Sequence, residues 1–159
     1  MTHVLFVCTG NICRSPLAEA LCRRELEHRG MSDITVSSAG TGAWDGAPAS
    51  EGAYLVALEH ELDLSGHRAR LLTRNVVESA DLILTMARHH RARVSELGGD
   101  RRVSVLGEFA GRDGPEAEVS DPFGGDIALY RETYAELEEL VGSAVDRLVR
   151  ERGADRGDD

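Results

Sequence analysis

The sequence predicts an α/β fold, a single doubly wound domain, on three observations. Four short apolar runs, at about 3–8, 34–37, 82–86 and 103–106, alternate with helical segments in the β-α-β-α order that builds such a sheet. The first run passes through a tight loop straight into a helix start. The last segment repeats apolar residues at Ile127, Tyr130, Tyr134, Leu137, Val141, Ala144 and Leu148, steps of three and four that form one face of a helix laid on a sheet.

Taken in order, Val4-Leu5-Phe6-Val7 reads as a buried strand within 3–8. A helix over about 15–29 follows, with Ser15 placed to cap it, Pro16 at its first position and Gly30 closing it. Ile34-Thr35-Val36-Ser37 forms the second strand, followed by a small-residue loop from Ala39 to Ser50 that holds the single tryptophan, Trp44. Ser50 caps a helix of about 51–60, a short helix near 73–77 precedes the strand Leu82 to Met86, and Arg88 to Leu97 reads as a polar surface helix. Val103-Ser104-Val105-Leu106 is the fourth strand, and Gly107 to Ser120 a long connection. The folded unit is placed at 1–150, and the polar stretch 151–159 is expected to be a disordered tail.

Composition excludes several classes. The 159 residues, 42% apolar and 29% charged, suit one domain with a full core. No run approaches the roughly 20 apolar residues that span a bilayer, and no basic segment precedes a separate apolar one at the start, so neither membrane insertion nor secretion is expected. A net charge of −10 argues against general nucleic-acid binding. The three cysteines, Cys8, Cys13 and Cys22, are odd in number and too local for a disulfide framework, which points to a reducing cytoplasm. All 18 basic residues are arginine, a bias that singles out no site.

The chemistry concentrates in Cys8-Thr9-Gly10-Asn11-Ile12-Cys13-Arg14-Ser15-Pro16. A cysteine and an arginine stand six positions apart on a loop that needs Gly10 and Asn11 for its turn, Asn being enriched at positive φ. The first N–H groups of the following helix have no intrahelical partner, so strand, loop and helix start together form an anion cradle. The positive helix end and Arg14 favour the thiolate form of Cys8. Arg14 adds a planar fork that matches two oxygens of a phosphoryl group. Ser15 has two readings, as helix cap or as hydrogen-bond donor to the Cys8 thiolate. In Arg88-His89-His90-Arg91, adjacent histidines point to different faces, so the cluster reads as a solvated surface and not as a metal site.

The Cys8-to-Arg14 loop followed by Ser15-Pro16, together with Asp121-Pro122-Phe123, resembles the low-molecular-weight protein tyrosine phosphatases over about residues 3–150. The resemblance implies a four-stranded parallel sheet flanked by helices and hydrolysis of phosphotyrosine in proteins through a phosphocysteine, with no cofactor and no metal. It implies phosphate binding by Thr9, Gly10, Asn11, Ile12, Cys13, Arg14 and Ser15. Asp121 would be the general acid that protonates the departing oxygen and later activates water, a role worth about a hundredfold or more. As caps of the last helix, Asp126 or Gly125 are better placed. The resemblance further implies that Ser38 and His67 hold Asn11, that Trp44 and Phe123 wall the substrate cleft with Ile12 beneath, and that Cys13 forms a reversible disulfide with Cys8; as a residue alone, Cys13 reads equally well as small apolar filler. Cys22 reads as inert core.

The chain departs from that pattern at Gly124-Gly125, where relatives carry a second aromatic, and at Ala87, where they often carry Asp. Three rival readings remain. The loop and Asp121-Pro122-Phe123-Gly124-Gly125 also resemble the protein-arginine phosphatase branch, which carries Thr at the position of Ile12; an apolar side chain there cannot hydrogen-bond a guanidinium, which favours phosphotyrosine. Thioredoxin-coupled arsenate reductase needs further cysteines downstream, and none follows Cys22. A non-catalytic phosphate-binding module would not need Cys8, Arg14 and Asp121 all intact. Phosphorylated protein is the expected partner; oligomeric state is not encoded in any motif.

Overall fold

The computed structural model describes residues 2–157, in which four parallel strands form one sheet in the order β2-β1-β3-β4. β1 (Thr2–Cys8) lies at the centre, paired with β2 (Ile34–Gly40) on one side and β3 (Leu82–Thr85) on the other, with β4 (Val103–Val105) outside β3. β1 is buried on both faces, as a central parallel strand must be. Val4, Phe6 and Cys8 point into one core while Leu5 and Val7 point into a second, the period-two alternation of a strand.

The larger core is closed by α1 (Arg14–His28), α2 (Glu51–Glu59) and α6 (Ile127–Gly157). The apolar face expected of α6 is the one it buries, Tyr130, Tyr134, Leu137, Val141, Ala144 and Leu148 all being inside and Ile127 half-buried. Each such large side chain contributes about 1.5–3 kcal/mol by leaving water. The smaller core lies beneath α3 (Arg74–Glu78) and the end of α4 (Arg88–Val94), where Val77, Ala80 and Val94 pack on Leu5, Val7 and Ile83.

Four boundaries differ from the sequence expectation. β2 runs on past Ser37 to Gly40, because its small residues pair with β1 up to Cys8. The expected connection at 107–120 contains a helical turn, α5 (Leu106–Phe109), whose Leu106 and Phe109 enter the larger core. α4 leads into a wider helical turn, Ser95–Gly99, broken at Gly98 with φ 96°. α6 continues to Gly157 instead of ending near 150, with Arg147 paired to Glu151 and Arg152 to Asp33 across the molecule. Residues 158 and 159 of the expected tail lie outside the described residues. No helix among the described residues is long and apolar enough to cross a membrane.

The order 2-1-3-4 puts the chain's change of direction between β1 and β3, and ligands of open α/β sheets bind at the carboxyl ends of the strands flanking that point. β1 ends there on Cys8.

Candidate active site

From Cys8 the chain turns through residues 9–13 into α1, and four carbonyls along it face outward. The Cys8 carbonyl accepts from Thr41 N–H (3.0 Å), that of Thr9 from Gly42 N–H (2.9 Å) and that of Ile12 from Ser50 N–H (2.9 Å). The Asn11 carbonyl accepts from His67 Nε2 at 2.6 Å. In a trans peptide the N–H points opposite its C=O. Turning these carbonyls out therefore turns the N–H groups of Thr9, Gly10, Ile12 and Cys13 inward, around a point above Cys8.

A hydrogen-bonded chain fixes the loop from behind. Ser38 Oγ donates to the Glu19 carboxylate (2.6 Å) and so offers its lone pair to Asn11 Nδ2 (2.9 Å). Asn11 Nδ2 also donates to Ser15 Oγ (2.9 Å), while its Oδ1 accepts from Arg70 N–H (2.9 Å). Ser15 Oγ lies 2.9 Å from Cys8 Sγ and keeps its hydrogen free of Asn11, so it can donate to the sulfur once Cys8 is a thiolate, which has no hydrogen to give. This resolves the two readings of Ser15: α1 begins at Arg14, its cap position is Cys13, and no side chain caps it. The energetic reason is burial, since Ser15 and Asn11 are fully enclosed and each unpaired polar atom would cost about 1–3 kcal/mol.

The turn itself corrects a further expectation. Asn11 has the positive φ expected of it, 56°, but Gly10 is not required, since a Cβ there would meet only Ile12 at ordinary contact distance, 3.5 Å. The glycine that the loop requires is Gly40, opposite Cys8 in β2, where a Cβ would fall 2.4 Å from the Thr9 carbonyl oxygen and 2.8 Å from the Asn11 nitrogen.

Arg14 is buried, and its Nη1 donates to the Val119 carbonyl at 2.9 Å. Its Nη2 lies 3.6 Å from Asp121 Oδ2, so one guanidinium links the loop to the segment carrying the acid. Its Nε is buried without a hydrogen-bond partner among the described residues, a donor whose natural complement is an anion oxygen. Asp121 is half-exposed and its Oδ1 accepts from Phe123 N–H (3.1 Å), which sets the turn around Pro122; Asp126 caps α6 instead, through Leu129 N–H (3.0 Å).

Cys8, Thr9, Gly10, Ile12, Cys13, Arg14, Asp121 and Phe123 together line one cleft of about 220 Å³. Trp44 is not among them: it is 85% exposed in its Gly-rich loop. Cys13 lies against Ser50 Oγ (3.2 Å) and Tyr130 OH (3.5 Å), and burial pushes its thiol up from its ordinary range. Cys22 is enclosed among apolar side chains and is pushed up to about 12. All three cysteines are free.

Sequence reasoning missed Glu19, Arg70, Gly40 and His90. His89 is exposed, as a solvated face requires, but His90 is fully buried, and its Nε2 is 2.9 Å from Thr9 Oγ1. Its position as the third residue of α4 could have signalled a side chain reaching back to the helix start.

A family model described as low molecular weight phosphotyrosine protein phosphatase matches residues 3–154. The chain belongs to this family. It is 40% identical over 159 residues to low molecular weight protein-tyrosine phosphatase A of Mycobacterium tuberculosis, covering 98% of this chain and 96% of the relative. It is 38% identical over 151 residues to a protein-arginine-phosphatase of Bacillus subtilis, covering 94% and 98%. Among solved structures it is similar, at 37% identity and a TM-score of 0.87, to a cysteine-to-serine mutant of YwlE arginine phosphatase with a phosphorylated active-site serine, covering 95% of this chain and 98% of that one. The family's four-stranded parallel sheet flanked by helices is the fold described above.

Proposed function

We propose that this chain hydrolyses phosphotyrosine in proteins through a phosphocysteine intermediate. The observation that carries the reading is convergence: Cys8, inward N–H groups, Arg14 and Asp121, from opposite ends of the chain, share one cleft.

The Cys8 thiolate attacks phosphorus and forms the S–P bond as the P–O bond to the leaving group breaks. Asp121 gives its proton to the departing aryl oxygen. The inward N–H groups and the Arg14 fork hold the three equatorial oxygens, and donors fixed in advance stabilise the trigonal transition state more than the ground state. In the second step the Asp121 carboxylate takes a proton from water, the water oxygen bonds to phosphorus, and the S–P bond breaks. Ser15 donates to the sulfur as it departs, which returns the thiolate and releases inorganic phosphate. Phosphorylation of the active-site serine in the cysteine-to-serine mutant of the YwlE relative supports a covalent phosphoenzyme here.

Two features favour phosphotyrosine. Ile12 lines the cleft and offers no hydrogen bond to a guanidinium, and Phe123 presents an aromatic wall to a flat ring. The similarity to an arginine phosphatase at 38% identity supports phosphoarginine as the alternative. A thiolate nucleophile with free cysteines around it suits a reducing compartment, the cytoplasm. Turnover of matched phosphotyrosine and phosphoarginine peptides by the wild type and Ile12→Thr tests the choice. A higher kcat/KM for phosphotyrosine in the wild type, narrowed or reversed by Ile12→Thr, is expected; wild-type preference for phosphoarginine would overturn it.

A further inference from the structure

His90 occupies a position that the two-step scheme does not use. It is fully buried as the third residue of α4, and its ring reaches back so that Nδ1 accepts the Ala87 N–H at 3.1 Å, as a Glu or Gln does at that place in other helices. Ala87 is itself held, its carbonyl accepting from Thr85 Oγ1 at 3.0 Å. Burial, together with His89 and Arg14 nearby, pushes the imidazole down to about 3, so the ring is neutral at any working pH. A neutral ring that accepts at Nδ1 carries its single proton on Nε2. That Nε2–H donates to Thr9 Oγ1 at 2.9 Å.

The direction of this bond has a consequence for Thr9. A hydroxyl oxygen that receives a donor from one side must send its own hydrogen elsewhere. Thr9 follows Cys8 directly and lines the same cleft as Arg14. We propose that Thr9 Oγ1 is a side-chain hydrogen-bond donor to the phosphoryl group held above Cys8, and that His90 is the positioning residue that keeps it a donor. The proposal rests on the phosphatase reading and adds to the backbone donors of the cradle a side-chain donor in the same loop, held in place by His90 from the β3–α4 corner.

The test combines turnover of p-nitrophenyl phosphate with binding of inorganic phosphate by calorimetry, in wild type, Thr9→Val, Thr9→Ser, His90→Phe, His90→Gln and Thr9→Val/His90→Phe. Thr9→Val keeps the shape and removes the hydroxyl at an exposed position, so its folding is not in question. It should lower kcat about tenfold and weaken phosphate binding about fivefold, in line with the loss of one charge-assisted donor. Thr9→Ser should recover most of both losses, and His90→Gln should recover more activity than His90→Phe. The double variant should be no worse than the poorer single one, since both remove the same donor. Thr9→Val within twofold of wild type in both measurements would overturn the proposal, as would losses at Thr9 and His90 that multiply. If the wild type failed to turn over any phosphate ester, the phosphatase reading would fall, and phosphate binding by Thr9→Val and Thr9→Ser would still decide whether the hydroxyl donates.

Discussion

Asn11, at the tip of the loop, is fully buried and bonded through every polar atom of its side chain, to Ser15, Ser38 and the Arg70 backbone. Trp44, in the neighbouring loop, is 85% exposed, and Phe123 across the cleft is 66% exposed. One region is a cradle over-determined by hydrogen bonds from β2, α1, α4 and the loops before α2 and α3; the other is an open rim. The difference divides the labour. Donors that stabilise a transition state must be in place before the reaction, because reorganising them during it would cost what they gain. Residues that select a substrate gain from being accessible, and loops carried on a rigid scaffold supply that.

The largest effects should come from the cradle. Arg14→Ala removes the guanidinium that faces the cleft and also its bond to the Val119 carbonyl, so kcat should fall about a thousandfold or more while far-ultraviolet circular dichroism stays native. Asp121→Ala should lower kcat by about a hundredfold to a thousandfold for phenyl phosphates with poor leaving groups, and far less for those with good ones, because only the former need the proton. A uniform loss across a leaving-group series would remove Asp121 as the acid.

Gly40→Ala sharpens the comparison from outside the loop. Its Cβ would collide with backbone atoms of Thr9 and Asn11, so both the melting temperature and kcat should drop, whereas Gly66→Ala, with nothing within 4 Å of its Cβ, should change neither. Thiol reactivity should follow the same division. Iodoacetate near neutral pH should label Cys8, at the base of the cleft, before Cys13, and should reach Cys22 only in denaturant, since Cys22 is buried and pushed up to about 12. Early labelling of Cys22 would break the account of that core.

The smallest effect belongs to the rim. Trp44→Ala should alter stability by no more than about 0.5 kcal/mol and turnover of p-nitrophenyl phosphate by less than about twofold. A tenfold loss on the small substrate would mean that the tryptophan belongs to the cradle after all.

What the sequence revealed follows the range of the interactions. The anion cradle was legible because Cys8, Arg14 and the helix start are contiguous, and α6 because its face repeats locally. Asp121 was legible as a short motif, but its approach to Arg14 depends on the Val119 carbonyl and so on the whole sheet. The network around the Ser15 hydroxyl was beyond reach, because it runs from Glu19 on α1 to Ser38 on β2 and back through Asn11 in the loop. Gly40 looked like one small residue among many until the pairing of β2 with β1 placed it against Thr9. His90 carried a surface charge pattern on both sides in sequence, and only the β3–α4 corner turns it inward.

The central claim is that Cys8 carries the phosphoryl group between two chemical steps. Asp121→Ala should slow breakdown of that intermediate, so rapid acid quench of this variant during turnover of an activated aryl phosphate, followed by peptide mass spectrometry, tests it directly. A phosphoryl adduct on the peptide containing Cys8, lost in Cys8→Ser along with turnover, is the predicted result. An adduct on another residue, or undiminished hydrolysis by Cys8→Ser, would contradict it.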